Sequence, residues 1–386
     1  MFKALRTRWQ SLLNRWRPTP PLQDTGAELL PSRLAHQYQA LAAELPSPLV
    51  SAFAVHPLAY HDPRYVGRET TVAALEHAVE EWRAGCGKLS VVVGPPGSGL
   101  TSTLNQVLEL DDAVCYFSLA QRPVSTANIM RLVQLLFGLP QAPTSTAAAI
   151  DALLLQPPRI LLLDDGHLLL ARKMGNGAAL QTLAAVLLAT QQHHCWILAC
   201  THHAWRRLCF LYDCERLFGR VLHIEYFDAA ELAQAIEARL YGLGYQWKAR
   251  LSLAEGERDP LAPHFKLLHE HSDGHPQLGF FLFLLALDVD EVQQCLALTD
   301  IPHLDTRCLK ACSDDELFSL AELYAHGGLD RVEHETLFRL APDQSLVRLE
   351  QLHLQGLVEC RAGYYRLAPL VAPATVEFLI NANRLY

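Results

Sequence analysis

The ten cysteines include no CxxC pair, the amino terminus has no continuous apolar core, and no charge-free apolar run reaches the length of about eighteen residues that a membrane-spanning helix needs. The first absence argues against a thiol redox motif or a four-cysteine zinc site, because both need close cysteine pairs. Several cysteines stand inside apolar runs, which predicts buried free thiols and a reducing, cytoplasmic setting. The second absence predicts no secretory leader. The longest apolar candidate, Leu278 to Leu287, is too short to span and is followed by Asp288 and Asp290. Histidine and cysteine do cluster at His193-His194-Cys195 and Cys200-Thr201-His202-His203. An intervening strand would part the two groups by about 17 Å, so no metal site is expected there.

Charge is unevenly placed. The net charge is −9, yet residues 1–17 hold Lys3, Arg6, Arg8, Arg15 and Arg17 with no acid. The remainder therefore carries 27 basic against 41 acidic residues, a body too acidic for broad nucleic-acid binding. In the basic end, Phe2, Leu5, Trp9, Leu12, Leu13 and Trp16 recur at helical spacing until Pro18, Pro20 and Pro21 stop them. The spacing predicts a basic amphipathic helix over residues 1–20. It suits attachment at a membrane surface or in an acidic groove of a protein partner, and both readings stay open.

Residues 21–62 read as an irregular arm or linker with one short helix near Leu34–Leu45. From Tyr65 apolar strands alternate with helices, at Lys88–Val93, Ala113–Leu119, Arg159–Leu163, Cys195–Cys200 and Val221–Tyr226. Continuous apolar strands separated by helices predict an α/β fold with a parallel sheet covered on both faces, over residues 63–228. Beyond residue 228 strands disappear, and residues 229–312 read as a helical lid subdomain. Residues 313–386 read as three helices, then two short strands around Arg361-Ala362-Gly363, the order of a winged helix.

The strongest chemical signal is Val91-Val92-Val93-Gly94-Pro95-Pro96-Gly97-Ser98-Gly99-Leu100-Thr101. A buried strand enters a glycine-rich turn and a helix begins at once, a geometry that aims backbone N–H groups at phosphate. Gly94, Gly99 and Thr101 match the phosphate-loop pattern GxxxxGK[ST], but Leu100 stands where lysine would touch the β- and γ-phosphates. A second motif, Ile160-Leu161-Leu162-Leu163-Asp164-Asp165, ends an apolar strand in two carboxylates. Asp164 is placed to hold magnesium together with the Thr101 hydroxyl. Residues 94–102, Gly94 through Ser102, are thus the candidate phosphate site.

With these motifs the chain resembles the AAA+ and STAND-type ATPases, including initiator-like and transposition ATPases. Tyr65-Val66-Gly67-Arg68-Glu69 resembles their entry box, which implies a place for Arg68 near the base of ATP or ADP. Thr201, closing Ile197-Leu198-Ala199-Cys200-Thr201, stands at the polar sensor 1 position. Arg216-Leu217-Phe218-Gly219-Arg220 resembles the segment carrying an arginine finger, so Arg216 or Arg220 would reach a neighbouring subunit's nucleotide. Asp165 stands where the family has its catalytic glutamate, one methylene short. In Gly274-His275-Pro276-Gln277, which resembles the start of the sensor 2 helix, Gln277 replaces the expected arginine.

Three departures, at Leu100, Asp165 and Gln277, all weaken contact with the γ-phosphate or the attacking water. Losing one charge-assisted phosphate contact costs about 1.5–3 kcal/mol, and more where charge builds in a transition state. The expectation is a protein that binds ATP or ADP with magnesium, hydrolyses it poorly, and regulates or scaffolds protein partners. Its place would be the cytoplasm, with attachment to the inner face of the membrane as a further option. Alternatives are an empty structural loop, an ATPase completed in trans within a hetero-oligomer, and a DNA-transaction ATPase using the winged helix. Charge disfavours the last, since residues 313–386 hold six arginines and no lysine against eleven acids.

Overall fold

The computed structural model describes residues 26–171, 176–251 and 259–385. The expected basic helix over residues 1–20 lies outside the described residues. Five strands form the central sheet: β1 (Ser90–Gly94), β2 (Val114–Ser118), β3 (Ile160–Asp164), β4 (Cys195–Thr201) and β5 (Arg220–His223). Their order is β2-β3-β4-β1-β5, and every neighbouring pair is parallel. Strands β1, β3 and β4 are buried at every position, as expected where helices cover both faces.

Side-chain alternation along these strands feeds two separate cores. Val91, Val93, Leu161 and Leu163 pack with Ile129, Val133, Val186 and Leu208 on one face. Val92, Leu162 and Ile197 pack with Leu75, Val79 and Leu104 on the other. The helices are fixed by local signals as well. Ser125 accepts from Asn128 N to open Thr126–Phe137, and Gly138, at φ 64°, closes it.

The segment read as an irregular arm is built into the carboxy-terminal half of the molecule. Its helix spans Leu34–Glu44, close to the predicted range, and a second helix covers Ser47–Ala52. Leu34, Leu41, Leu49 and Phe53 enter one core with residues of the lid and the last domain. Phe53 meets Phe280 edge-on at 5.7 Å and Phe283 at 5.1 Å. Glu28–Leu29 pairs in parallel with His303–Leu304. The prolines that suggested a linker instead begin helices, at Pro31 and Pro48.

The lid is not purely helical, which corrects the expectation that strands end at residue 228. Helices Ala229–Leu240, Ala262–Ser272 and Pro276–Leu285 are joined by a small sheet of Gln246–Trp247, Cys295–Leu298 and Leu287–Asp290. Leu287 pairs with Leu298, so the acids after the apolar run belong to a hairpin. The run itself is a buried central helix, with Leu278 through Leu284 all packed inside. No helix among the described residues is long and apolar enough to cross a membrane.

The last domain has the winged-helix order: Asp314–Ala325, Arg331–Phe338, Pro342–Leu354, then strands Val358–Arg361 and Tyr364–Leu367. Ser313 with Glu316 and Asp330 with Glu333 form complete capping boxes. Ala362 (φ 51°) and Gly363 (φ 80°) make the hairpin turn in the left-handed region. Two pieces were not anticipated: a third strand, Leu329–Asp330, and a closing helix, Ala372–Asn381.

Loss of water pushes the rings of His167, His194, His203, His275 and His334 each down to about 4. In an unfolded chain histidine titrates near pH 6.5. Between about pH 6.5 and 4 the unfolded state therefore binds protons that the fold refuses, and stability falls as pH falls through that window. Urea unfolding at pH 5 should show a clearly lower midpoint than at pH 7.5. An unchanged midpoint would contradict the burial of these rings.

Candidate nucleotide site

The carboxyl ends of the parallel strands open into a cleft of about 1060 Å³ between the sheet domain, the lid and the winged helix. A cleft at this edge of a parallel sheet is where such folds bind ligands. Strand β1 runs into the loop, Gly97 (φ 84°) and Gly99 (φ 98°) turn it, and the helix Leu100–Asn105 starts directly after Gly99. Both glycines occupy the left-handed region that side chains resist. Pro96, Gly97, Ser98, Gly99, Leu100 and Thr101 line the cleft, while Gly94 packs behind them against Ser98 and Ile224.

The two predicted magnesium residues meet. Thr101 Oγ1 donates to Asp164 Oδ2 at 2.6 Å. The carboxylate is further held by Tyr116 OH at 2.8 Å, donating to the same oxygen, and by the backbone N–H of Asp165 at 2.7 Å. Ser98 Oγ and Thr201 Oγ1 are buried at the cleft and have no hydrogen-bond partner among the described residues. Buried hydroxyls are rarely left so. Two such orphans beside a glycine turn and a carboxylate fit a ligand bearing phosphate and magnesium, and these residues would hold it.

Asp165 lies at the cleft in the left-handed conformation, φ 58°. Its carboxylate accepts from Ser118 Oγ at 2.5 Å and lies 3.9 Å from His167 Nδ1. Burial first, and the Asp164 charge after the opposing Ser118 bond, raise its pKa above the usual carboxylate range. Burial also keeps His167 neutral near pH 7, with a pKa of about 4. Asp165 is thus tied back to β2.

The resemblance-based positions divide. Thr201 sits at the end of β4, in register with Gly94. Gln277 lines the cleft. Arg68 also lines it, but its guanidinium is spent on the protein: it donates to Glu225 O, lies 3.8 Å from Glu231 and stands 4.8 Å over the Phe227 ring. It joins the sheet domain to the lid. The Ser102 hydroxyl accepts from Leu58 N at 3.0 Å and so anchors the segment before the entry box. Asn105 and Gln106 hold the same segment through Leu58 O and Ala59 O, both at 2.8 Å.

Neither arginine-finger candidate lines the cleft. Arg220 is committed to Glu81 at 3.0 Å and Ala74 O at 3.3 Å. Arg216 is exposed, paired with Asp213 at 2.9 Å. The histidine and cysteine cluster serves packing: His194 accepts from Arg159 N and bonds Leu153 O, and His203 stacks edge-on against Tyr324 at 5.0 Å.

Three features of the cleft were missed from sequence. Arg122, just after β2, donates to Glu333 at 3.0 Å, to His326 O at 2.7 Å, to Gly328 O at 2.8 Å and to Tyr364 OH at 3.2 Å, clamping the winged helix across the cleft mouth. Arg207 pairs with Glu322 at 2.9 and 3.1 Å beside it. Opposite, Arg239 lies 4.0 Å over Phe280, its pKa lowered to about 10 by burial and then by Arg64. Phe280 and Phe227 offer an apolar, aromatic wall on that side.

Residues 85–208 match the family model described as AAA domain. No curated protein sequence matches the chain. Among solved structures, the chain is similar to the ORC2 protein of Aeropyrum pernix in its ADPNP–ADP complexes, at 18% identity and a TM-score of 0.46, covering 86% of this chain and 96% of that one. It is similar to Cdc6p of Pyrobaculum aerophilum at 16% identity and a TM-score of 0.44, covering 86% and 98%. The RuvB Holliday junction branch migration motor of Thermotoga maritima gives 15% identity and a TM-score of 0.37, covering 78% and 92%. The family match spans the phosphate loop, the paired aspartates and β4, and so residues 85–208 are an AAA domain of the P-loop ATPase type.

Proposed function

We propose that the chain binds ATP or ADP with magnesium in this cleft and acts as a nucleotide-dependent regulator or scaffold for protein partners, hydrolysing ATP poorly. The observation that carries the reading is an intact phosphate cup, joined to its acidic strand by the Thr101–Asp164 bond, in a loop where Leu100 replaces the lysine. The amides of residues 97–101 and the hydroxyls of Ser98 and Thr201 would take the phosphates. Thr101 and Asp164 would hold the metal, which supplies charge neutralisation at the phosphates. Asp165, held by Ser118 and shorter than a glutamate, is poorly disposed to activate water.

The same features suit a switch. The cleft is walled by three parts of the chain, so a bound nucleotide would favour one angle between sheet, lid and winged helix, and a partner can read that angle. The winged helix is acidic and its Arg348 is paired with Asp315 at 2.6 Å, which favours protein over DNA as its partner. Residues 1–17, with their five basic and no acidic side chains, would tether the chain to an acidic surface in the cytoplasm or at the inner membrane face.

Equilibrium titration of the full chain with ATP and ADP in magnesium should show binding of both, while a coupled assay shows no sustained phosphate release. Turnover by the chain alone at about 1 per second or faster, the range of working phosphoryl-transfer enzymes, would refute the regulator reading. Arg122→Ala leaves Glu333 and two carbonyls of the winged helix without their cation. It should weaken docking of that domain by on the order of 3 kcal/mol and raise hydrogen exchange in residues 326–330 without lowering protection of β1. Unchanged exchange there would show that Arg122 is not the clamp.

A further inference from the structure

The lid contributes one polar group aimed at the phosphate loop that no motif assigns. His275 is the N-cap of the lid helix Pro276–Leu285, and its Nδ1 accepts from Leu278 N at 3.2 Å. A neutral imidazole that accepts at Nδ1 carries its proton at Nε2. That nitrogen faces the loop: a Cβ added to Gly97 would lie 2.6 Å from it. Among the described residues no hydrogen bond to Nε2 occurs, and His275, a residue only 2% exposed, lines the cleft. The ring is held in place by Tyr226, whose ring meets it at 5.0 Å and whose hydroxyl donates to Pro96 O at 2.9 Å. One tyrosine thus ties the imidazole and the loop into a single unit. Burial pushes the His275 pKa down to about 4, so the ring is neutral near pH 7. The positive end of the helix dipole lies at the same place.

We propose that His275 Nε2–H is a neutral hydrogen-bond donor to the phosphate chain of the bound nucleotide, reaching the cup from the lid side. This rests on the nucleotide-binding reading and deepens it. A side chain at position 97 would be strained by the positive φ and would meet the imidazole at 2.6 Å. The donor also couples occupancy to lid position, since His275 begins a lid helix while Gly97 belongs to the sheet domain. A neutral donor holds phosphate, yet offers less than a cation to the charge that accumulates during transfer.

The test compares the full-length wild-type chain with His275→Asn by calorimetric titration with adenosine, ADP and ATP in magnesium. Asparagine is a favoured N-cap, so it keeps the helix start while withdrawing the donor from the loop. ADP and ATP should each bind about tenfold more weakly to the variant, as for one lost hydrogen bond to a charged group, with adenosine binding unchanged. An equal loss for adenosine, or no loss for ADP, overturns the proposal while leaving nucleotide binding standing. No binding of any nucleotide by the wild type overturns both. In the wild-type chain the His275 Nε2–H proton resonance should shift downfield on addition of ADP; a resonance that does not move contradicts the contact even where the variant fails to fold.

Discussion

The hydrogen bond from Thr101 to Asp164 is the constraint around which the molecule is arranged. It joins the helix that follows the phosphate loop to the end of β3, across the intervening β4, so it depends on the parallel alignment of three strands. Tyr116 and the Asp165 amide fix the carboxylate from the other side, which leaves Asp164 little rotational freedom. The cup, the orphaned hydroxyls of Ser98 and Thr201 and the cleft itself follow from that alignment.

What the site lacks is positive charge at the lysine position of the loop and at the start of the lid helix. Leu100 packs partly against the core on one face of the sheet, and Gln277 is uncharged. Of the arginines that line the cleft, Arg68 is engaged with Glu225 and the lid's Glu231, Arg122 with the winged helix, and Arg239 lies over the Phe280 ring. The remaining means of holding an anion are backbone amides, hydroxyls, the neutral imidazole of His275, a helix dipole and a metal. These suit a bound polyanion better than a transition state whose charge grows. Arg68 and Arg122 are instead spent on joining the three parts of the chain that wall the cleft, which gives a nucleotide something to move.

The sheet was legible in the sequence because its three central strands are buried on both faces and read as unbroken apolar runs bounded by turn residues. The loop and Asp164 were legible because a strand leads directly into each. The arm was misread as a linker: its apolar residues are sparse in sequence and gain meaning only against Phe280 and Phe283, some 230 residues away by the numbering. The lid hairpin was missed because its first strand continues an apolar helix without a break at Ala286. Arg122 carried no local signal, since its winged-helix partners are more than 200 positions distant. His275 stood inside a motif already singled out, but that motif directs attention to the position held by Gln277, and only the three-dimensional approach to Gly97 reveals the ring.

The central claim is that residues 94–101 form an anion-accepting cup that is complete except for its lysine. The most direct measurement is the dissociation constant of ATP with magnesium for the wild-type chain and for Leu100→Lys. Restoring a charge-assisted contact of about 1.5–3 kcal/mol should tighten binding at least about tenfold. Equal affinity of the two proteins, or no binding by either, would show that the loop is closed to phosphate and would contradict the account.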